Sequence, residues 1–201
     1  MTGFKIVNLN TLIEESGEEA AKGILSSFSC PLNPDVERFL KEKAIEFAKQ
    51  GFSKTHLVFA SFRDKPVLVG YFTLANKQIA VIKKKISNTQ ARRVGRFGSY
   101  DQQTKSYYIA APLIAQLGKN FSNEYNRLIT GDELLKIACD KVSIVQMAIG
   151  GRFVYVECED IPQLTEFYKR NGFFEFDKRK LDADETDLKG EYLVQMLRYL
   201  R

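Results

Sequence analysis

The chain has 201 residues, of which 44% are hydrophobic and 27% charged, and its formal net charge is +5 at pH 7. These values exclude a disordered or fibrous chain and indicate one globular domain over residues 1–201 with a substantial core. No apolar run approaches the ~20 residues that cross a bilayer, and the N-terminus does not have the pattern of a secretory leader. We therefore expect a cytoplasmic protein without membrane association.

The cysteines and the single histidine predict no metal centre. Cys30, Cys139 and Cys158 are an odd number, widely spaced and without paired-ligand spacing, so neither a disulfide framework nor a structural zinc site is expected. Cys158 is interpreted as a small buried filler rather than a nucleophile. His56 lies inside a run that reads as a strand, which favours a packed or hydrogen-bonded structural residue.

The first half of the chain predicts a strand, a helix and a hairpin in succession. Residues 4–12 read as an edge strand, and residues 14–29 read as a short helix or a loop. A helix should follow, because Asn33 can cap it, Pro34 suits its first position and Gly51 suits its end. Residues 54–62 and 67–74 should then form an antiparallel hairpin around turn residues, within a sheet that is covered on both faces.

Residues 77–105 carry most of the positive charge. This basic segment holds eight Lys or Arg residues against the single acid Asp101, a net charge of +7, so the rest of the chain sums to −2. Its glycines and polar residues predict a solvated excursion inserted into the domain rather than part of the core. A charge run of this kind is either a solvated face or a contact surface for an anionic partner.

The second half predicts a strand–helix–strand unit. An apolar strand over 108–117 leads through a polar loop to a helix over 132–149, which Gly150 and Gly151 should end. A short parallel strand over 153–156 follows, for which a right-handed crossover is expected. A loop that opens onto a helix N-terminus is an anion site, because unpaired amides and the helix dipole point to the same place.

The remaining elements are shorter. Asp160 and Gln163 resemble a capping box for a helix that closes at Gly172, and a strand over 173–176 follows. An acidic loop (Asp182, Asp184, Glu185, Asp187) precedes a final strand over 192–199. This apolar terminal strand should leave a sheet edge that a second copy could cover, so a homodimer is one possible assembly.

The element order, together with the string Phe167-Tyr-Lys-Arg-Asn-Gly-Phe173, resembles the GCN5-related N-acetyltransferase (GNAT) superfamily over roughly residues 54–199. The resemblance implies an α/β (α+β) fold with a mixed, mostly antiparallel central sheet of about six to seven strands and helices on both faces. It also implies an acyltransferase that moves an acetyl group from acetyl-CoA to a primary amine by direct attack, with no metal. Tyr168 takes the position of the family's general acid, which protonates the departing thiolate.

The phosphate-binding loop departs from the family pattern Q/R-x-x-G-x-G/A. The matching stretch is 126–131, in which Gly131 keeps the final glycine, while Ile129 and Asn126 replace the first glycine and the leading Gln or Arg. A branched Ile129 should restrict how closely a pyrophosphate approaches. Arg127 could supply a compensating charge. Ile161 stands where many members carry an asparagine that touches the cofactor.

By the same resemblance, two stretches would hold acetyl-CoA. The pantetheine would pair with a strand end that splays from its neighbour, formed by Gln116, Leu117, Gly118 and Lys119. The phosphates would be held by Arg127 and by the backbone amides of Leu128, Ile129, Thr130, Gly131 and Asp132, with the helix dipole behind them.

Several alternatives stay open at the level of sequence. Tyr168 could be a core tyrosine with a satisfied hydroxyl, and Glu157 or Glu159 could assist amine deprotonation. Some toxin-type members of the superfamily acetylate aminoacyl-tRNA and carry basic residues where Arg92, Arg93 and Arg96 lie, which would suit RNA phosphates. A catalytically silent acyl-CoA-binding or RNA-binding module on the same fold is the other interpretation.

Overall fold

Helices and strands alternate along the chain in the computed structural model, which describes residues 3–183, 185, 188 and 190–200. The elements of the first part are β1 (Lys5–Asn8), α1 (Leu9–Ser16), α2 (Glu18–Ser26), α3 (Pro34–Arg38), α4 (Ala44–Gln50), β2 (Lys54–Phe62) and β3 (Lys65–Ile82). A π-helical turn at Phe39–Lys43 joins α3 to α4. Residues 14–29 are therefore mostly helical, and the predicted first strand is shorter than expected because α1 begins at Leu9.

The second part begins with a short 3₁₀ turn at Lys83–Lys85. The elements that follow are α5 (Asn88–Gly95), β4 (Ser99–Asp101), β5 (Ser106–Lys119), α6 (Gly131–Ile149), β6 (Phe153–Glu159), α7 (Pro162–Arg170), β7 (Phe174–Lys180) and β8 (Tyr192–Tyr199). A 3₁₀ turn at Ser122–Arg127 lies between β5 and α6. The strand–helix–strand unit is confirmed, with β5 and β6 parallel and Leu113 opposite Tyr155.

The strands form a mostly antiparallel sheet in the order β1-β2-β3-β5-β6-β8-β7, with β4 paired to β5. This is the predicted α/β (α+β) architecture with eight strands described rather than six or seven. The prediction that the last strand forms an edge is wrong, because β8 pairs with β6 on one side and β7 on the other. The last strand therefore offers no free edge through which a second copy could form a homodimer.

Two compact units are distinguished by their internal contacts. Unit 1 comprises the residues up to Ala75 together with Ala115–Ala138, and unit 2 comprises Asn76–Ile114 with the residues from Cys139 onward. The core of unit 1 is built on the first helices and β2, where Leu9, Leu40 and Leu57 are fully buried. The core of unit 2 gathers apolar side chains of its own strands and α5, namely Ile79, Val81, Val94, Ile109, Ala111, Leu113, Phe153, Tyr155, Phe176 and Leu197. The prediction of one domain over 1–201 stays a prediction.

The predicted caps of the α3–α4 helix are confirmed. The side chain of Asn33 accepts a hydrogen bond from the amide of Val36 at 3.2 Å, with Pro34 in the first helical position. Gly51 ends α4 in the left-handed conformation, at φ 76°, where glycine has no Cβ penalty. The β2–β3 hairpin is also confirmed, and its turn residues Arg63 and Asp64 both have positive φ.

The prediction that the basic segment is a solvated excursion is wrong. The segment contains the end of β3, α5 and β4, and both Val81 and Val94 are fully buried in the core of unit 2. Its lysines and arginines concealed this, because the apolar side chains between them alternate along β3 and recur on one face of α5. A capping box between Ser87 and Gln90 fixes the start of α5.

The predicted capping box at Asp160 is also wrong. Ile161 is the N-cap of α7 and Pro162 its first residue, and no side chain caps the helix there. Asp160 instead forms an ion pair with Lys178 of β7 at 2.6 Å. Of the predicted acidic loop, Asp184 and Asp187 lie outside the described residues.

Candidate functional site

The end of β5 passes very close to β3 in unit 1. A Cβ added at Gly70 would lie 2.8 Å from the carbonyl oxygen of Gly118, and one added at Gly118 would lie 2.4 Å from a methyl group of Val36. Both positions therefore require glycine, because a side chain would displace backbone or core atoms. The predicted pantetheine strand is thus held tightly against its neighbours at Gly118, whereas Leu117 is half-buried.

Asn120 anchors the loop that follows β5, and sequence reasoning did not identify it. Its fully buried side chain accepts hydrogen bonds from the amides of Ser29 and Ser122, both at 3.0 Å, and donates to the carbonyl of Leu68 at 2.8 Å. All three of these hydrogen bonds join backbone groups, which fixes the point where the chain leaves the sheet. A lone asparagine after an apolar strand gives no sequence signal of this role.

Lys119 holds the other side of the same loop. Its ammonium group donates to the carbonyls of Asn126 at 3.0 Å and Ile129 at 3.2 Å. Two carbonyls are thereby turned towards Lys119, and a positive charge is fixed inside the loop that is predicted to bind phosphates. Ile129 itself is buried, which explains why a branched residue is accommodated there.

A capping box occupies the N-terminus of α6. The amide and hydroxyl of Thr130 both donate to the carboxylate of Glu133 at 2.8 Å, and the Thr130 hydroxyl accepts from the amide of Glu133 at 3.1 Å. Hydrogen bonds from the Thr130 amide and hydroxyl lower the pKa of Glu133. A carboxylate therefore sits at the helix end where the sequence predicts a pyrophosphate.

The other predicted phosphate contacts have varied surroundings. The Leu128 amide donates to the carbonyl of Tyr125 at 3.0 Å, so it is used within the loop. Arg127 is largely exposed and pairs with Glu124 at 2.8 Å. Gly131 and Asp132 are the first two residues of α6, at the positive end of the helix dipole.

Gln116 is joined to α3 of unit 1. Its side-chain amide donates to the carboxylate of Asp35 in α3 at 2.9 Å, while Arg38 lies 4.0 Å from the same carboxylate. This hydrogen bond fixes the side chain of Gln116. The backbone groups of β5 at this position stay assigned to the cofactor as a prediction.

Tyr168 is a buried tyrosine of unit 2 with an unusual hydroxyl. Its ring packs edge-on against Phe167 and Phe173, with centroids 5.0 and 5.4 Å away. Tyr71 and Tyr155, which are also buried, direct their hydroxyls to the carbonyl of Val36 and the carboxylate of Glu157. Across the described residues, the Tyr168 hydroxyl makes no hydrogen bond to the protein, and it is not among the fully enclosed polar atoms that lack a partner, so it is not sealed inside the core.

The protonation state of Tyr168 follows from its burial. Burial raises its pKa above the ordinary value, and the neighbouring thiols of Cys158 and Cys139 act in the same direction. Its hydroxyl therefore keeps its proton throughout the neutral range. Burial likewise raises the pKa of Cys158 to about 12, which agrees with its predicted role as an unreactive filler.

Glu157 is engaged in a half-buried network of hydrogen bonds and ion pairs. Its carboxylate accepts hydrogen bonds from Tyr155 and Gln195 and pairs with Arg179 at 2.8 Å, and Arg179 also pairs with Glu185. Burial alone would raise the pKa of Glu157, but the hydrogen bonds from Arg179, Tyr155 and Gln195 outweigh it and lower the pKa. A carboxylate so engaged is a weak base, so the geometry does not favour Glu157 for amine deprotonation.

The arginines of the basic segment lie on the solvent side of α5. Arg92, Arg93 and Arg96 are exposed, while Ala91 and Val94 face the core. Arg93 lies over the ring of Tyr199, with its guanidinium 5.6 Å from the ring centroid. The structure thus separates the charged face of α5 from the face that packs.

His56 is buried and stacks on Phe72, as its structural interpretation predicted. No group of three or more His, Cys, Asp or Glu side chains is placed to hold a metal ion within the described part. No helix among residues 3–183 and 190–200 combines the length and apolarity that a bilayer crossing requires.

Comparisons with known proteins identify the fold. No protein-family model and no curated protein matches the sequence. A solved bacterial toxin aligns with a TM-score of 0.65 at 17% identity, covering 100% of this chain and 92% of that chain. AtaT complexed with acetyl-methionyl-tRNAfMet aligns at 0.62 and 15% identity, covering 96% and 94%.

AtaTR bound with acetyl-CoA aligns with a TM-score of 0.55 at 16% identity, covering 97% of this chain and 93% of that chain. At such low identities these likenesses concern the fold. The chain has a GNAT-like fold, which confirms the architecture expected from its sequence.

Proposed function

We propose that the protein is an acetyl-CoA-dependent N-acetyltransferase that acts on a primary amine. The observation that carries the proposal is Tyr168, a buried tyrosine with an unpartnered hydroxyl among the described residues of a GNAT-like fold. Buried tyrosine hydroxyls usually find a hydrogen-bond partner, so one without a protein partner fits a group that acts on a ligand.

In the proposed reaction, the neutral amine attacks the thioester carbonyl carbon directly and forms the amide C–N bond. The C–S bond breaks, and Tyr168 donates its hydroxyl proton to the departing sulfur. The amine nitrogen loses one proton, and the tyrosinate regains one from solvent, so the products are an amide and a free thiol. Tyr168 is protonated at neutral pH and so carries the proton that the step uses, although burial, which raises its pKa, also makes it a weaker acid than an exposed tyrosine.

The β5–α6 loop supports acetyl-CoA binding in part. The Lys119 ammonium and the first amides of α6 supply positive charge for phosphates, and Gln116–Lys119 supply strand backbone for the pantetheine. The Glu133 carboxylate opposes the phosphates. We therefore propose modest affinity, with Gly131, Asp132 and Ile129 as the amides nearest the phosphates, and Arg127 contributing once it leaves Glu124.

Calorimetry with acetyl-CoA, followed by a thiol-release assay, tests the proposal. We expect acetyl-CoA to bind, and free thiol to appear only when an amine is added from a panel of polyamines, amino-acid esters, lysine peptides and aminoacyl-tRNA. Acetyl-CoA binding without thiol release for any amine would contradict the enzyme and support the silent module. Absence of acetyl-CoA binding would contradict both the enzyme and a silent acyl-CoA-binding module.

A second candidate assigns aminoacyl-tRNA as the amine substrate. The exposed Arg92, Arg93 and Arg96 on α5 favour it, since an amine carried by RNA needs phosphate contacts. The fold of AtaT complexed with acetyl-methionyl-tRNAfMet is similar, which adds support. We expect the protein to acetylate aminoacyl-tRNA, and the rate to fall when these arginines are replaced by glutamine. A rate that depends neither on the arginines nor on the salt concentration would rule out this candidate.

A further inference from the structure

A pocket within unit 2 combines an aromatic ring, an apolar floor and unpaired positive charge. It has a volume of about 650 Å³ and lies between the 3₁₀ turn after β3 and the β4–β5 turn. Ile82 and Ile86 supply the floor, Tyr100 supplies the ring, and Lys83, Lys84 and Lys105 supply the charge. None of these residues is one of the α5 arginines.

The backbone fixes the two lysine-bearing segments relative to each other. The amide of Lys83 donates to the carbonyl of Lys105 at 3.1 Å, which joins the 3₁₀ turn to the β4–β5 turn. Asp101, the nearby acid, is occupied with the amides of Gln103 and Thr104 at 2.7 and 3.3 Å. It closes its own turn and is not among the residues that line the pocket.

The protein neutralises the charges of the pocket only in part, since Lys105 donates to Gln102 at 3.5 Å and interacts electrostatically with Asp101. Lys85 pairs with Asp177, but no carboxylate among the described residues pairs with Lys83, Lys84 or Lys105. Three lysines that line one pocket repel one another, and a phosphate bound there would relieve that repulsion. This charge favours a ligand with at least one phosphate.

The aromatic ring of Tyr100 restricts the class of ligand further. Tyr100 is half-buried, packs against Tyr107 with centroids 4.9 Å apart, and has the Lys83 ammonium 5.6 Å from its centroid. A tyrosine fixed by a second aromatic ring is a platform on which a flat base stacks once the Lys83 ammonium turns from the ring to a phosphate. Phosphates on the lysines and a base on Tyr100 together describe a nucleotide, whereas an acidic peptide would use the charge alone.

We propose that this pocket binds an unpaired nucleotide, either free or within a single-stranded RNA, through phosphate contacts to Lys83, Lys84 and Lys105 and base stacking on Tyr100. The inference goes beyond the proposed reaction, because it rests on unit 2 side chains alone and holds whether or not acetyl transfer occurs. The pocket recognises nucleic-acid chemistry rather than a particular base, since Asn88 is its only amide side chain in the described lining.

Fluorescence anisotropy with a labelled single-stranded oligoadenylate tests this on the full chain. The Lys83→Gln, Lys84→Gln, Lys105→Gln triple variant should weaken binding at least about tenfold and reduce the slope of log affinity against log salt by about 2. The matched control is Lys5→Gln, Lys43→Gln, Lys65→Gln, which removes the same charge from exposed sites of unit 1. It should leave both quantities nearly unchanged.

Equal loss in the two triple variants would overturn the proposal, because it would show a diffuse field rather than a site. Tyr100→Ala should weaken binding about tenfold and Tyr100→Phe hardly at all; equal affinity of the two would also overturn it. Folding is checked by circular dichroism and by acetyl-CoA binding, which none of these variants should alter. If the triple variant does not fold, the exposed single variant Lys84→Gln carries the test, with a weaker affinity as its expected result.

Competition distinguishes the possible sources of the ligand. Displacement of the oligoadenylate by AMP assigns the pocket to free nucleotides, and displacement only by unlabelled RNA assigns it to RNA strands; both agree with the proposal. Equal displacement by polyglutamate of matched charge would contradict it, as would the absence of oligoadenylate binding. Acetyl-CoA binding and thiol release are measured separately, so a failure here is distinguishable from a failure of the proposed reaction.

Discussion

At the N-terminus of α6, one carboxylate occupies the place where the proposed function requires phosphates. Glu133 satisfies the amide and hydroxyl of Thr130, which stabilises the start of the helix. The same arrangement brings a negative charge close to the predicted pyrophosphate position. Helix stability and cofactor affinity are therefore opposed at this residue.

Glu133→Gln should raise acetyl-CoA affinity about threefold to tenfold, since it removes the charge and keeps an oxygen that can accept from Thr130. Calorimetry measures this directly. Glu14→Gln, an equal charge change at an exposed residue of α1, serves as control and should leave affinity unchanged. An unchanged or lower affinity for Glu133→Gln would show that the phosphates bind elsewhere.

Gly70 illustrates a single residue that fixes a close approach between strands. A methyl group there would meet the Gly118 carbonyl at 2.8 Å and a Leu134 methyl at 3.2 Å. Gly70→Ala should lower the free energy of unfolding by about 1–3 kcal/mol, because the carbonyl cannot move without shifting β5. Urea unfolding checks this, with Gly23→Ala as control: its added methyl meets nothing within 4 Å, so no loss is expected.

At the scale of elements, the Glu157 network joins three adjacent strands. Glu157 and Tyr155 lie on β6, Arg179 on β7 and Gln195 on β8, so one ion pair and its hydrogen bonds connect the strands through their side chains. Arg179 also holds Glu185, which lies beyond β7. This network could not be predicted from the sequence of β6, because its partners lie on strands that are distant in the chain.

The network predicts a specific dependence of stability on pH. The hydrogen bonds from Arg179, Tyr155 and Gln195 hold the folded-state pKa of Glu157 below its ordinary value, so its contribution to stability is complete above the ordinary pKa and is lost as pH falls through the lowered one. Glu157→Gln should cost about 2 kcal/mol at neutral pH and show a shallower loss of stability below about pH 4.5. Urea unfolding at a series of pH values measures both effects.

The control for that experiment is Glu166→Gln, which changes a largely exposed carboxylate of α7. It should retain the wild-type dependence on pH. If Glu157→Gln lost stability with the same slope as wild type, the ion pair with Arg179 would not be the source of the acid sensitivity.

Local sequence patterns predicted the helices, strands and turns better than they predicted which side chains interact with each other. The Asn33 and Gly51 caps, the hairpin and the parallel unit follow from spacing and turn chemistry, and the structure confirms them. The Asp160 cap failed because a long-range ion pair with Lys178 competes for that carboxylate. Such competition depends on which strand lies alongside, which short-range pattern does not contain.

In the molecule as a whole, the order of the strands in the sheet was the main feature that could not be predicted from the sequence. The sequence of β8 predicts a terminal edge strand, yet β8 lies between β6 and β7 in the sheet. The chain forms β7 at the edge of the sheet and then returns as β8 between β7 and β6. The basic segment was similarly misread, since its charge masked the buried Val81 and Val94. By contrast, the motif predicted the helix that contains Tyr168, and the structure has it as α7, while the catalytic role of Tyr168 stays a prediction.

The positive charge of the molecule is also distributed unevenly along the chain. The basic segment lies within one unit and carries a net +7, while the rest of the chain sums to −2. Exposed arginines on α5 and the lysines of the nucleotide pocket account for most of this excess. The molecule therefore presents positive charge locally, as an anionic partner would require.

Turnover by Tyr168→Phe tests the central claim most directly. The variant removes one hydroxyl and keeps the ring that packs against Phe167 and Phe173, so acetyl-CoA affinity should stay within about twofold, while thiol release with the best amine of the panel should fall about 100-fold. Tyr192→Phe, the same change at an exposed tyrosine, should behave like wild type. Wild-type turnover by Tyr168→Phe would contradict the account and remove Tyr168 from the mechanism.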